Sequence, residues 1–144
     1  MAKSMATEDD FSRCLLLNTI KAARSLSRRY DARLKPYGVT VAQFTVMMLV
    51  RHNEGKAINA IAKRIAMERT TLTRNIDLLA RKGLVVKEFA EKGNVKTCRL
   101  TDTGDALLDE LIPVWHAARQ ELQTLLTGRD PDEYLAILQT LSKG

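Results

Sequence analysis

Apolar positions recur at helical spacing along most of the chain, and the pattern changes between residues 84 and 100. Ile58, Ile61, Ala62 and Ile65 fall at i, i+3, i+4 and i+7 and predict a short helix; Leu72, Ile76 and Leu79 fall at i, i+4 and i+7 and predict a second. Ala66-Met67-Glu68 supplies a turn between them, which is helix-turn-helix spacing. Gly83 follows Arg81 and Lys82 as a C-cap glycine behind cations that suit a helix's negative end, so the second helix stops at about Lys82. Two β-biased runs, 84–89 and 95–100, then flank a turn centred on Gly93 and Asn94 and predict a hairpin. Residues 56–100 therefore read as a winged helix-turn-helix.

The flanks are more apolar than one helical face requires. A first helix is predicted from about Thr7 to Leu34, with Glu8, Asp9 and Asp10 at its positive end and Arg33 and Lys35 at its negative end. Phe11, Leu15, Ala22, Leu26, Tyr30 and Leu34 form one face, and Cys14, Leu16 and Leu17 extend it around the first turns. Pro36 and Gly38 end that helix. Thr40-Val-Ala-Gln43 is a capping-box pattern opening the next, which carries Phe44, Met47, Met48 and Leu49 to about His52. After the hairpin, Thr101 caps a helix from Asp102 to about Leu126, with a bend expected near Glu110 because Pro113 removes a backbone donor. Asp130-Pro-Asp-Glu133 opens a last helix expected to bury Tyr134, Leu135, Ile137, Leu138 and Leu141.

The fold class is thus mainly α with a small β-hairpin wing, in one domain spanning 1–144. Residues 7–35 and 102–142 are candidate dimerisation helices, since apolar terminal helices on a small monomer would leave a large exposed patch. The alternative is that these helices satisfy one another within one chain.

Charge separates the centre from the flanks. Residues 56–99 hold eleven Lys and Arg against four Asp and Glu, net +7, whereas the other hundred hold twelve against thirteen. The whole excess of +6 sits in the predicted winged unit, as phosphate binding requires. Opposite the Leu72 stripe project Thr70, Thr73, Arg74, Asp77 and Arg81, hydroxyls and guanidinium groups able to hydrogen-bond base edges and phosphates. The N-terminus lacks the apolar core of a signal peptide and no apolar run is long enough for a membrane helix, so a cytoplasmic protein is expected. Cys14 and Cys98 lie far apart and predict no structural disulfide; His52 and His116 stand alone and predict no metal site. Six of the seven glycines fall at element boundaries and the seventh is Gly144, leaving no phosphate-cradling loop; no nucleophile motif is present, and neither catalysis nor a cofactor is expected.

The runs Ile58-Asn-Ala-Ile-Ala-Lys-Arg-Ile65, Met67-Glu-Arg-Thr-Thr-Leu-Thr-Arg74 and Leu78-Leu-Ala-Arg-Lys-Gly-Leu-Val85, with Leu100-Thr-Asp-Thr-Gly104, resemble the MarR family of bacterial transcriptional regulators. The resemblance covers nearly the whole chain. It implies a homodimer built from the terminal helices and double-stranded DNA contacted by Arg69, Thr70, Thr71, Thr73 and Arg74, with Lys92, Asn94 and Lys96 at the wing. Where the family usually carries Asp-Arg-Arg at the wing, this chain has Lys92-Gly93-Asn94, so the arginine that enters a minor groove is missing. The family also implies a small, often aromatic, anionic effector; Tyr30, Tyr37, Phe44, Met47, Met48, Trp115 and His116 are candidates for its body and Arg24, Arg28 and Arg29 for its acidic group. Cys14 stands about where the family's organic-hydroperoxide sensors keep a reactive cysteine, but the tyrosine expected after Thr40 is replaced by Val41. The expected function is a ligand-responsive dimeric repressor on a pseudo-palindromic operator, released by an aryl acid or its coenzyme A thioester. The alternatives are a sequence-tolerant architectural DNA binder, a protein-interaction module, and a peroxide-sensing repressor acting through Cys14.

Overall fold

A computed structural model describes residues 3–65, 67–89 and 96–143. In chain order they form α1 (Glu8–Ser12), α2 (Leu15–Leu34), a 3-10 turn (Lys35–Tyr37), α3 (Val41–His52), α4 (Ile58–Arg64), α5 (Arg69–Arg81), β1 (Val85–Phe89), β2 (Lys96–Leu100), α6 (Asp102–Leu125) and α7 (Pro131–Leu141). The strands pair antiparallel, with Val85 opposite Leu100 and Phe89 opposite Lys96. An isolated bridge between Ala57 and Thr97 adds the residue before α4 to the hairpin's edge.

The expected first helix is two helices. Thr7 caps α1 through a capping box with Asp10, whose carboxyl accepts the Thr7 N–H at 2.7 Å and is held below the usual carboxylate range by that bond. The chain turns at Arg13 and becomes extended at Cys14, the N-cap of α2. Asn18 replaces the lost ladder, its Nδ2 donating to the Ser12 and Cys14 carbonyls at 2.9 and 2.8 Å. No glycine or proline marks this break, so the apolar period alone ran through it.

The other boundaries follow from local chemistry. Thr40 and Gln43 form the expected capping box of α3, Asp130 caps α7 with Pro131 behind it, and Gly38, Gly83 and Gly128 take the left-handed backbone that ends helices, at φ 77°, 73° and 82°. Thr101 joins wing to helix: its N–H donates to the Leu84 carbonyl at 3.0 Å, its hydroxyl donates to the Gly83 carbonyl at 2.6 Å, and the same oxygen accepts the Gly104 N–H at 3.0 Å. A Cβ at position 104 would collide with the Leu84 carbonyl oxygen, which is why a glycine stands there. α6 continues through Pro113.

The core lies between α3, α5, α6 and the hairpin. Leu34, Val46, Met47, Leu72, Ile76, Leu79, Leu108 and Leu111 are fully buried in it. Two links fix the long helices: Arg33 pairs with Glu121 between α2 and α6, and Arg51 pairs with Asp105 and Asp109 at 3.1 and 2.9 Å between α3 and α6. The alternative that the terminal helices satisfy one another within one chain is not met. Tyr134, Leu135, Ile137 and Leu141 on α7 are exposed, as are Phe11, Leu15, Leu16 and Leu17 at the other end, and only Leu138 is half-buried.

Candidate nucleic-acid interface

α5 is amphipathic in the sense read from its sequence. Leu72, Ile76 and Leu79 are buried, and the opposite face bears exposed Arg69, Thr70, Thr73, Arg74 and Arg81. These five line, with Asp77, an open depression of about 390 Å3. Thr71 is not among its lining residues; it is half-buried on the flank, where its carbonyl accepts the Asn75 side-chain N–H at 3.1 Å. Glu68, the N-cap, makes no side-chain bond to the first turn, so its N–H groups are left for another acceptor.

The charges on this surface are sorted. Asp77 pairs with Lys87 at 2.6 Å and clasps β1 to α5, while Glu88 pairs with Arg99 at 2.5 Å across the hairpin. Among the described residues Arg69, Arg74 and Arg81 enter no ion pair. A helix face with three such guanidinium groups and two hydroxyls suits a polyanion whose edges accept hydrogen bonds. The sequence did not reveal the Lys87–Asp77 clasp, because it joins residues of two elements across the turn at Gly83. Lys92 and Asn94 lie outside the described residues; Lys96 opens β2, with its side chain outside them also.

A family model described as MarR family matches residues 37–93. A relative, the HTH-type transcriptional regulator YkoM of Bacillus subtilis (strain 168), is 27% identical over 146 residues, covering 99% of this chain and 93% of that protein. The crystal structure of the M. tuberculosis transcriptional regulator MosR in complex with DNA is 32% identical at a TM-score of 0.78, covering 89% of this chain and 93% of that one. The chain belongs to the MarR family. This MarR-family protein is a winged-helix transcriptional regulator of a DNA-binding family and not an enzyme. The transcriptional repressor CouR bound to p-coumaroyl-CoA is similar as well, 26% identical at a TM-score of 0.83, covering 96% of this chain and 99% of that one. No helix among the described residues is long and apolar enough to cross a membrane.

The effector candidates of this MarR-family chain fall into separate places. Phe44, buried on α3, packs against Trp115 of α6 with ring centroids 5.8 Å apart, and Trp115 packs on exposed His116 at 5.0 Å. Met47 is fully buried in the core and Met48 packs partly buried against it. Tyr30 is half-buried, and burial raises its phenol above the ordinary value against the opposing charge of Arg119. Tyr37 is exposed on the 3-10 turn. Arg24, Arg28 and Arg29 are exposed along α2, with Arg28 lining a groove that none of the aromatic candidates lines. Cys14 is half-buried at the α2 N-cap, whereas Cys98 is buried on β2 and desolvation pushes its thiol up to about 11.

Proposed function

We propose that this regulator acts as a homodimer that reads a pseudo-palindromic operator in the cytoplasm with the exposed face of α5 and is released from it by a small effector. The carrying observation is the α5 surface, where Arg69, Thr70, Thr73, Arg74 and Arg81 stand around one open depression while the apolar stripe is buried behind them. A major groove about 12 Å wide admits such a helix, and guanidinium and hydroxyl groups discriminate its base edges. Thr71 would act from the flank, Lys92 and Lys96 would neutralise phosphate beside the groove, and the neutral Asn94 would donate a hydrogen bond there.

Dimerisation is supported by the exposed side chains Phe11, Leu15, Leu16 and Leu17 at one end and Leu135, Ile137 and Leu141 at the other, more apolar surface than a lone small chain tolerates. A second copy related by a two-fold axis covers both ends and places two α5 helices about 34 Å apart, one turn of the duplex. The effector's aromatic body is assigned to Phe44, Trp115 and His116, a reading supported by the p-coumaroyl-CoA bound to CouR. An effector shifts DNA affinity only if it fits the free protein better than the DNA-bound one.

Competition binding tests this. The operator, taken as the inverted repeat upstream of the gene, is expected to be preferred over random duplex by roughly 10³ or more, and p-coumaroyl-CoA or a related aryl thioester is expected to weaken it. Equal affinity for random DNA would instead identify an architectural DNA binder.

A further inference from the structure

The two faces of the hairpin end differently. Val85, Lys87 and Phe89 share one face, and the register sets Leu100 opposite Val85, Cys98 opposite Lys87 and Lys96 opposite Phe89. That face begins in the core, where Val85, Cys98 and Leu100 are buried. It leaves the core at Lys87, whose Nζ donates to Asp77 Oδ1 at 2.6 Å. Since Asp77 lines the depression on α5, the row runs outward along the flank of the proposed reading face. Phe89 stands two residues beyond that clasp, about 7 Å farther along the strand. It is 67% exposed. On the opposite face Glu88 pairs with Arg99 at 2.5 Å, so an ion pair closes that side while an aromatic ring ends this one.

We propose that Phe89 is an apolar wedge, set against a base step from the minor groove next to the major groove entered by α5, a contact that rests on the reading of duplex DNA by α5. The net charge of +7 on residues 56–99 draws phosphate to this unit, but a benzyl ring gains nothing from phosphate. What it can gain is contact with the sugars and base faces of a minor groove, where apolar side chains partly unstack a step. A ring needs a groove that can widen. The compressed minor groove of an A-tract resists this, whereas a TA step opens at low cost. The wing has Lys92-Gly93-Asn94 where an arginine would seek the narrow groove, and its preference is therefore inverted, toward flexible steps and away from A-tracts. The Lys87–Asp77 pair holds the strand to α5 and so fixes the spacing between the wedge and the bases facing Arg74. Phe89 thereby adds a second element of specificity outside the half-site.

The test uses the full-length protein and duplexes carrying the inverted repeat it selects from random DNA. A single TA step is moved through the positions flanking each half-site, and an A-tract or G·C pairs fill the same positions in control duplexes. The adenine of the step is replaced by 2-aminopurine, whose fluorescence rises when the base unstacks. At one flanking position the TA duplex is expected to bind about 10-fold more tightly than the A-tract duplex, with a rise in fluorescence. Phe89→Ala should bring that ratio below about twofold and abolish the rise, whereas Phe89→Leu, which keeps an apolar wedge, should retain a rise. Phe89→Ala should leave the salt dependence of binding unchanged, because no charge is lost. A wild-type preference for the A-tract, a TA preference that survives Phe89→Ala, or a salt slope lowered by about 1 in that variant would each overturn the wedge. Arg74→Ala separates the two readings, since it should weaken TA and A-tract duplexes alike and keep their ratio. If half-site preference survived Arg74→Ala while Phe89→Ala removed the flank ratio, the wedge would stand and the reading by α5 would fall; a protein that bound no duplex at all would overturn both.

Discussion

The winged helix-turn-helix and the terminal helices carry the same kind of apolar stripe, yet only the first is closed within the chain. Ile61, Leu72, Ile76 and Leu79 are 0–1% exposed, whereas Leu15, Leu16, Leu135 and Leu141 are 72%, 66%, 49% and 57% exposed. Periodicity establishes that a helix needs a partner and leaves open whose it is. In the central unit the partner is the same chain, through α3, α6 and the hairpin. At the ends the proposed partner is a second copy. The charge divides along the same line, since the excess positive charge lies on the unit that closes its own core.

The largest expected effect tests the closed side. Leu72→Ala should lower unfolding free energy by about 2–5 kcal/mol, because a fully buried leucine leaves both lost transfer energy and a cavity. Denaturant titration should give the same loss at every protein concentration; a loss that varied with concentration would place Leu72 at an interface and break the contrast.

The two cysteines repeat the contrast at smaller scale. Cys98, inside the central unit, has its thiol raised from the ordinary value of 9.0 to about 11 by desolvation. A raised folded-state value means that the unfolded chain ionises first, so this contribution is complete below pH 9 and is lost as pH climbs toward 11. The wild type should therefore lose up to about 2 kcal/mol more than Cys98→Ala over that window, as read by unfolding curves at each pH. Identical pH profiles would mean that Cys98 is not desolvated.

Arg74→Ala probes the exposed face of the same helix. It should weaken operator binding by about 1–3 kcal/mol and relax specificity at one position while leaving the unfolding midpoint in place. Weakening that is equal on all sequences would move Arg74 from a base to a phosphate. The smallest direct effect is expected at the open end: Leu135→Glu should change the chain's own stability by no more than about 0.5 kcal/mol, as exposed substitutions do, yet abolish the concentration dependence of Tm. If that dependence survived, α7 would lie outside the dimer contact.

What the sequence revealed follows the same division. The buried stripe of α5, the capping box at Thr40, the N-cap at Asp130 and the helix-ending glycines at 38, 83 and 128 are local patterns, decided within a few residues of themselves. The break at Arg13 and Cys14 was not legible, because Asn18 bonds two backbone carbonyls at once and no breaker residue announces it. Leu135, Ile137 and Leu141 were legible as apolar and in excess of one helical face, but whether the same chain covers them was not, since that depends on elements distant in sequence. The face formed by Arg69, Thr70, Thr73 and Arg74 could be foreseen, being one side of one helix. The groove joining Arg28, Gln43 and Lys82 could not: its walls come from α2, the 3-10 turn, α3 and the end of α5, and Lys82 meets Gly38 across 44 residues.

Whether two α5 helices held by one dimer read one face of a duplex is decided by changing the spacing of the half-sites. A duplex carrying the selected inverted repeat is compared with one in which about 5 bp, half a helical turn, is inserted at its centre. The insertion is expected to turn the second half-site to the opposite face and to reduce affinity to that of a single half-site, with two chains bound per uninterrupted repeat. Undiminished affinity for the interrupted repeat, or one chain bound per half-site without regard to spacing, would contradict it.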